Sequence, residues 1–313
     1  MPPGRPGHHP PVYEDVPMAT VAEIRRYPVK SMLGEDLDEC PVGPAGMAGD
    51  RAYAVIDGRD AKVASAKNPR KWGSLLHFRA AFVEEPVLGQ PPPPVAITFP
   101  DGRRLASDDP GIDAALSEAL GRPVHLAAEA PAARTFEEVW PDIEGLAPQE
   151  FIERTTVDHE DSGEAISSIE LGMAAPPGTF FDLSVLHLMT TATLRALAAA
   201  DPGADFDVRR YRPNVLVAEE GGTFSENDWV GRRVALGDSL EIRVTLPTMR
   251  CVMTTLAQTG LGPDRRTLRA IAAHNRLDIP GLGQWACAGV YAGVVTPGLL
   301  RVGDPVRPVA GEG

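Results

Sequence analysis

The chain has 313 residues, 43% hydrophobic and 23% charged, with a formal net charge of −13. It is long enough for two domains, and its acidity argues against nucleic acid as an obligate partner. No apolar run reaches the roughly 18 residues of a membrane span, and three widely spaced cysteines (Cys40, Cys251, Cys287) exclude a CxxC zinc or thioredoxin motif and fit a reducing cytoplasm.

Residues 1–18, proline- and glycine-bearing and without an apolar segment, read as a disordered tail rather than a signal peptide; His8 and His9 belong to it. Thr20 to Arg26 alternates as a strand and stops at Tyr27-Pro28. Gly43 to Gly49 is turn-rich, and a second strand runs from Arg51 to Ile56, closed by Asp57-Gly58. A third is expected near Leu75 to Val83, and Val95 to Phe99 meets the hairpin turn Asp101-Gly102. Ile112 to Leu120 is a short helix that Gly121 caps. Ala127 to Gly178 is acidic and weakly periodic, an excursion expected to be partly disordered.

Beyond it, Thr190 caps a helix through Ala200, which Asp201-Pro202-Gly203 stops. Strands are expected at Asn214 to Ala218, Arg233 to Leu236 and Ser239 to Leu246, then a helix from Asp264 to Asn275 with Leu268, Ile271 and Ala272 on one face. Strands at Gly289 to Val295 and Leu300 to Val309 finish the chain. With 31 glycines and 31 prolines, the whole reads as a β-rich α+β protein: a β-barrel core with helical decoration.

Four clusters could carry chemistry. Cys251 is expected after a strand and a Pro247-Thr248-Met249 turn, beside Arg250, whose charge favours a thiolate, the ligand of a soft metal; equally it reads as a buried packing cysteine. Lys30 and Ser31, with Arg51 some twenty residues on, suit a phosphate held by two cations and a hydroxyl; the plain alternative is a solvated loop with Arg51 paired to Asp50. Arg209, Arg210 and Arg212 gather cations before a strand, and Asn214 can pair with a heterocycle edge; otherwise they offset Asp205 and Asp207. Tyr291 lies in Gly289-Val290-Tyr291, and Gly303-Asp304 reads as a turn or bulge. Cys40 and Cys287 read as packing residues, His187 as a core histidine, and His274 as a helix-end surface residue. Only four lysines occur (Lys30, Lys62, Lys67, Lys71), all in the first quarter of the chain.

In order and spacing, YPVKS at 27–31, GDR at 49–51, RYRPN at 210–214, RC followed by TT at 250–255, and GVYAGV with G.LRVGDPV at 289–306 resemble the MOSC family, the molybdenum-cofactor sulfurase C-terminal domain. The first part is similar to the β-barrel domain that precedes MOSC in the amidoxime-reducing component proteins. The resemblance implies a tail at 1–18, a smaller MOSC N-terminal β-barrel domain at 19–130, an acidic linker at 131–178 and a MOSC domain at 179–310. It implies a molybdenum cofactor (Mo-molybdopterin) ligated by Cys251, with Lys30, Ser31, Arg51, Ser184, Arg212, Asn214, Arg250 and Tyr291 as cofactor contacts. Where the family often has a serine before Arg-Cys, this chain has Met249, so one cofactor hydrogen bond is lost or moves to Thr248.

The implied activity is reduction of small N-hydroxylated substrates, amidoximes or hydroxylamines. No GxGxxG fingerprint or spaced cysteine set is present, and the chain ends soon after its last expected strand. An external flavin or haem electron-transfer protein is therefore expected. Two other roles fit the resemblance: a sulfur carrier using a Cys251 persulfide, and a non-catalytic cofactor carrier.

Overall fold

A computed structural model describes residues 19–131, 135–172, 176 and 178–309; the expectations for the tail at 1–18, with His8 and His9, lie outside them. The largest sheet runs Glu35–Leu37, Thr20–Arg26, Val215–Ala218, Leu186–Thr190, Gly283–Thr296, Leu240–Met249, Arg233–Leu236, Val306–Pro308, with Arg276–Ile279 also paired to Gly283–Thr296. Only the Leu186–Thr190 and Val215–Ala218 pair among these is parallel, and the helix Thr191–Ala200 lies in the connection between them. Backbone bonds from Val21 N to Asp304 O (2.9 Å) and Val306 N to Ala19 O (2.8 Å) bring the last strand back to the first. The sheet thereby closes into a barrel filled by Val21, Ile24, Val217, Val234, Ile242, Val244 and Val290.

The chain's first strand thus lies in the same sheet as its last ones, although the sequence assigns it to a separate N-terminal domain. A second, smaller core gathers Val29, Val55, Trp72, Phe78, Ile97 and Leu116. It is built from Ala54–Asp57 paired with Val124–Ala127, a sheet of Arg79–Phe82, Val95–Thr98 and Arg104–Ala106, and the helix Ile112–Leu120. Gly121 ends that helix at φ 65°, a left-handed cap that glycine adopts without a Cβ clash. On the outer face of the barrel the helices Thr191–Ala200 and Arg266–His274 bury Leu197, Leu268 and Ile271. Each such side chain contributes on the order of 2 kcal/mol.

Several expectations need correction. Leu75 to His77 form a 3-10 turn, and only Arg79–Phe82 is strand; Leu75 and Leu76 pack inward together, which strand alternation would not allow. The short strands Glu35–Leu37, Glu39–Gly43 and Gly46–Met47 carry too few residues to show a period. Pro247 to Met249 are not a turn: Leu240–Met249 is one strand, and register shifts at 244/246 and 247/249 absorb the proline.

The described residues of the 127–178 excursion include regular structure. Thr135–Trp140, Ala165–Glu170 and Thr156–His159 form an antiparallel sheet, with the helix Gln149–Thr155 beside it. Its order comes from docking: Trp140 and Leu146 join the core that covers the barrel's outer face, and Phe136 and Leu171 pack with Phe180. No helix among the described residues is long and apolar enough to cross a membrane.

Candidate functional site

The barrel's topology brings several strand termini to one end. Ile24 pairs with Val215, so Tyr27 to Ser31 leave the barrel where Arg212 to Asn214 enter it. Leu188 pairs with Val215 and His187 with Tyr291, which adds the start of Leu186–Thr190 and the middle of Gly283–Thr296. Pro247 opposite Val290 and Met249 opposite Cys287 bring in the residues leading to Cys251. Here lies a cleft. All nine residues expected at the site line it: Lys30, Ser31, Arg51, Ser184, Arg212, Asn214, Arg250, Cys251 and Tyr291.

The cleft also takes Arg210, Tyr211 and Met249, which lie in or beside the sequence motifs, and Lys67, Asp182, His187 and Met253, which sequence reasoning did not place there. Six lining side chains are cationic (Lys30, Arg51, Lys67, Arg210, Arg212, Arg250) and one, Asp182, is acidic, in a chain of net charge −13. That inversion marks an anion site. Soft sulfur atoms of Cys251, Met249 and Met253 line it too.

Not every expected contact is free. Asn214 spends its whole amide inside the protein. It donates to Asp50 Oδ2 (3.0 Å) and the Arg25 carbonyl (3.2 Å), and accepts from the His187 backbone (3.1 Å) and Arg51 (3.5 Å). It is a brace, without the spare pair for a heterocycle edge that its residue type suggests. Arg51 pairs with Asp50, as its plainer reading has it, and still lines the cleft. Ser184 donates to the Ala292 carbonyl (3.0 Å), and Ser31 accepts from the Ala66 backbone (3.0 Å). Lys30 pairs with Asp182 and donates to the Phe180 carbonyl (3.2 Å). Thr248, the substitute for a serine at 249, is buried with an unpaired hydroxyl but is not among the residues lining the cleft.

Arg212 is different. It is 8% exposed, and neither terminal guanidinium nitrogen has a hydrogen-bond partner among the described residues. Its guanidinium carbon lies 4.1 Å from the Tyr27 ring centroid, and Arg51's lies 4.9 Å from the same ring. Burial first, and then Arg51, push the Arg212 pKa down to about 10. Three of the lining residues, Ser31 (φ 66°), Arg51 (φ 49°) and Arg212 (φ 56°), hold left-handed backbone. Each costs about 1–2 kcal/mol in a residue with a Cβ, and such strain gathers where a site demands a fixed geometry.

Cys251 is 8% exposed and lies two residues past the strand end at Met249, capping the 3-10 turn Val252–Thr255. Arg250 favours its thiolate, as the sequence suggests, but burial outweighs that effect and Glu138 adds to the rise. Burial pushes the thiol pKa up, and Lys67 and Arg250 offset this only in part. Burial also works against the Lys67 charge, but Asp182 and Glu138 outweigh it and hold the ammonium well above its ordinary range. The same ammoniums of Lys30 and Lys67 overcome burial at Asp182 and hold its carboxyl well below the usual range. His187 is buried and neutral, its pKa lowered by burial and by Arg250, and its Nε2 has no partner among the described residues. Cys40 and Cys287 are buried packing residues, their thiols pushed up by burial to about 12.

A phosphate-bearing, sulfur-ligated group fits this donor set: a desolvated guanidinium without an anion, further cations around it, and one thiol at the end of the cleft. The described residues contain no cluster of three or more His, Cys, Asp or Glu side chains able to hold a bare metal ion.

A closed β-barrel with a cationic, thiol-bearing cleft at its strand ends thus defines the class of protein. The chain carries a MOSC N-terminal beta barrel domain over residues 18–89 and a MOSC domain over residues 178–307. It is similar to mitochondrial amidoxime-reducing component 1 of Mus musculus, 29% identical over 100 residues. That match covers 31% of this chain and 28% of the relative's length. Among solved structures, the YuaD protein of Bacillus subtilis aligns over 92% of this chain and 94% of its own at 11% identity, TM-score 0.42. YiiM of Geobacillus stearothermophilus aligns over 40% and 54% at 14% identity, TM-score 0.29.

Proposed function

We propose that the protein is a molybdenum-cofactor-dependent oxidoreductase that reduces small N-hydroxylated compounds. The observation that carries the reading is the Arg212 guanidinium, buried and unpaired in a cleft of six cations that also holds Cys251. A MOSC domain and a relative named for amidoxime reduction support it.

In this reading Arg212, with Arg51 and Lys30 beside it, holds the cofactor's phosphate, while Tyr27 keeps the two guanidiniums in place. Cys251 would be the protein's ligand to the metal, and Lys67 and Arg250 would offset the charge of its thiolate. Asn214 and Asp50 fix Arg51. When bound, the cofactor supplies the two-electron redox change. The overall reaction breaks the N–O bond: R–NHOH, two electrons and two protons give R–NH2 and water. The electrons come from an external flavin or haem protein, and the three free cysteines support a reducing compartment. A sulfur-carrier role would need an exposed thiol, which the 8% exposure of Cys251 disfavours.

Protein made in a cofactor-producing host should convert an amidoxime to its amidine when dithionite-reduced viologen supplies electrons. Absence of product from metal-loaded protein would overturn the reaction.

A further inference from the structure

Beside the cleft lies a second chamber of about 110 Å³. The two share Lys67, Asp182, Leu183, Met249, Arg250 and Tyr291, so the chamber adjoins the cleft on the side of Arg250, the chain neighbour of Cys251. The rest of the chamber has a different character. Phe136, Trp140 and Phe151 come from the 135–170 excursion, and Trp285 from the long barrel strand. Phe151 stands edge-on to both indoles, with centroids 5.9 Å from Trp140 and 4.9 Å from Trp285.

Both indole N–H groups are already used, by Ser167 Oγ (2.8 Å) and the Leu282 carbonyl (2.9 Å), so these walls need no polar partner from a ligand. The polar groups contributed by the excursion are both acidic: Glu138, which accepts from Lys67 (3.1 Å), and Glu170, which is exposed.

We infer that this chamber is a substrate pocket, made chiefly by the 135–170 excursion, that selects N-hydroxylated compounds carrying a flat aromatic, uncharged or cationic body. The inference rests on the proposed reaction only for the position of the reacting group. With that group at Cys251, the body of the substrate has the aromatic chamber as its neighbouring space. Aromatic walls bind a ring through buried apolar area and edge-to-face contact. Lys67 offsets Glu138, and Arg250 is engaged on the Tyr211 carbonyl (3.0 Å), so Glu170 is the carboxylate left to disfavour an anionic body.

The test is isothermal titration of the full-length protein with benzamidoxime, acetamidoxime and 4-carboxybenzamidoxime. The expected Kd for benzamidoxime is at least tenfold below that for acetamidoxime and at least fivefold below that for the carboxylate. Phe151→Ala removes part of the wall and Leu282→Trp fills the chamber; each should cut the ring preference below threefold. Two variants at partly exposed positions keep the test open if one fails to fold. Equal affinity for the ring and methyl probes, or a preference that survives in both folded variants, overturns the chamber's role. Turnover of both probes with no ring preference sinks the chamber and spares the reaction. A variant-sensitive ring preference in metal-loaded protein without turnover supports the chamber and sinks the reaction.

Discussion

Replacing Arg212 with Met is predicted to make the ligand-free protein more stable while removing its anion binding. Folding pushes the guanidinium from its ordinary 12.5 down to about 10. At about 1.4 kcal/mol per pH unit, the unpaired charge then costs roughly 3 kcal/mol at neutral pH. For a base whose folded value is the lower one, that cost is fully present below pH 10 and fades as pH rises toward 12.5. The contact with the Tyr27 ring at 4.1 Å returns about 1 kcal/mol. The net gain from Met is therefore about 2 kcal/mol, a rise in Tm of about 4 °C. Met keeps a Cβ at φ 56° and so leaves the backbone strain in place, whereas Gly would relieve it and confuse the result. With an anion present the order reverses: two charge-assisted hydrogen bonds at about 1.5–3 kcal/mol each predict binding weaker by roughly 10²- to 10⁴-fold. Scanning calorimetry without ligand and with pyrophosphate reads both effects. A variant that melts lower than wild type without ligand, yet gains as much from pyrophosphate, refutes the reasoning.

Gly289→Ala is expected to cost about 3 kcal/mol in urea unfolding. Its φ is +83°, and a Cβ would sit 2.5 Å from His187 Nε2 and 2.6 Å from the Leu188 carbonyl; a loss below 1 kcal/mol would contradict that packing. Asp182→Asn is expected to cost about 2 kcal/mol at pH 7 by leaving Lys30 and Lys67 short of a partner. The figure is set below that of a fully buried pair because 27% of the Asp182 side chain is exposed. Since its folded pKa is depressed, the carboxylate's contribution is complete above about pH 4 and is lost as pH falls further. The wild-type and Asn curves should therefore converge in acid, and a constant gap down to pH 3 would count against the ion-pair account.

The sequence was most legible where local chemistry and burial agree. Thr20–Arg26 alternates on a half-buried sheet, and Thr190 caps its helix by accepting from the Thr193 backbone. The nine cleft residues were named because the order and spacing of several short motifs carried them, even though the barrel assembles them from segments more than 200 residues apart. What each residue does there was less legible. Asn214 looks like a ligand contact by residue type, but Asp50 and the backbones of Arg25 and His187 engage its amide, and no local pattern reveals that. Lys67 lies outside every motif; its one signal was that lysine is rare in this chain. The strands and helix of the excursion were not legible because they depend on docking onto the barrel, and Trp140 and Phe151 announce that only as isolated aromatics in an acidic stretch. The thiol of Cys251 was judged by its sequence neighbour, whereas burial dominates its ionisation.

The most direct test of the central claim is molybdenum content by mass spectrometry, on protein from a cofactor-competent host, comparing wild type with Cys251→Ala. The account predicts close to one molybdenum per chain in the wild type, and at least tenfold less metal in a folded variant. A well-folded wild type without molybdenum, or a variant that keeps both the metal and N–O reduction, would contradict it.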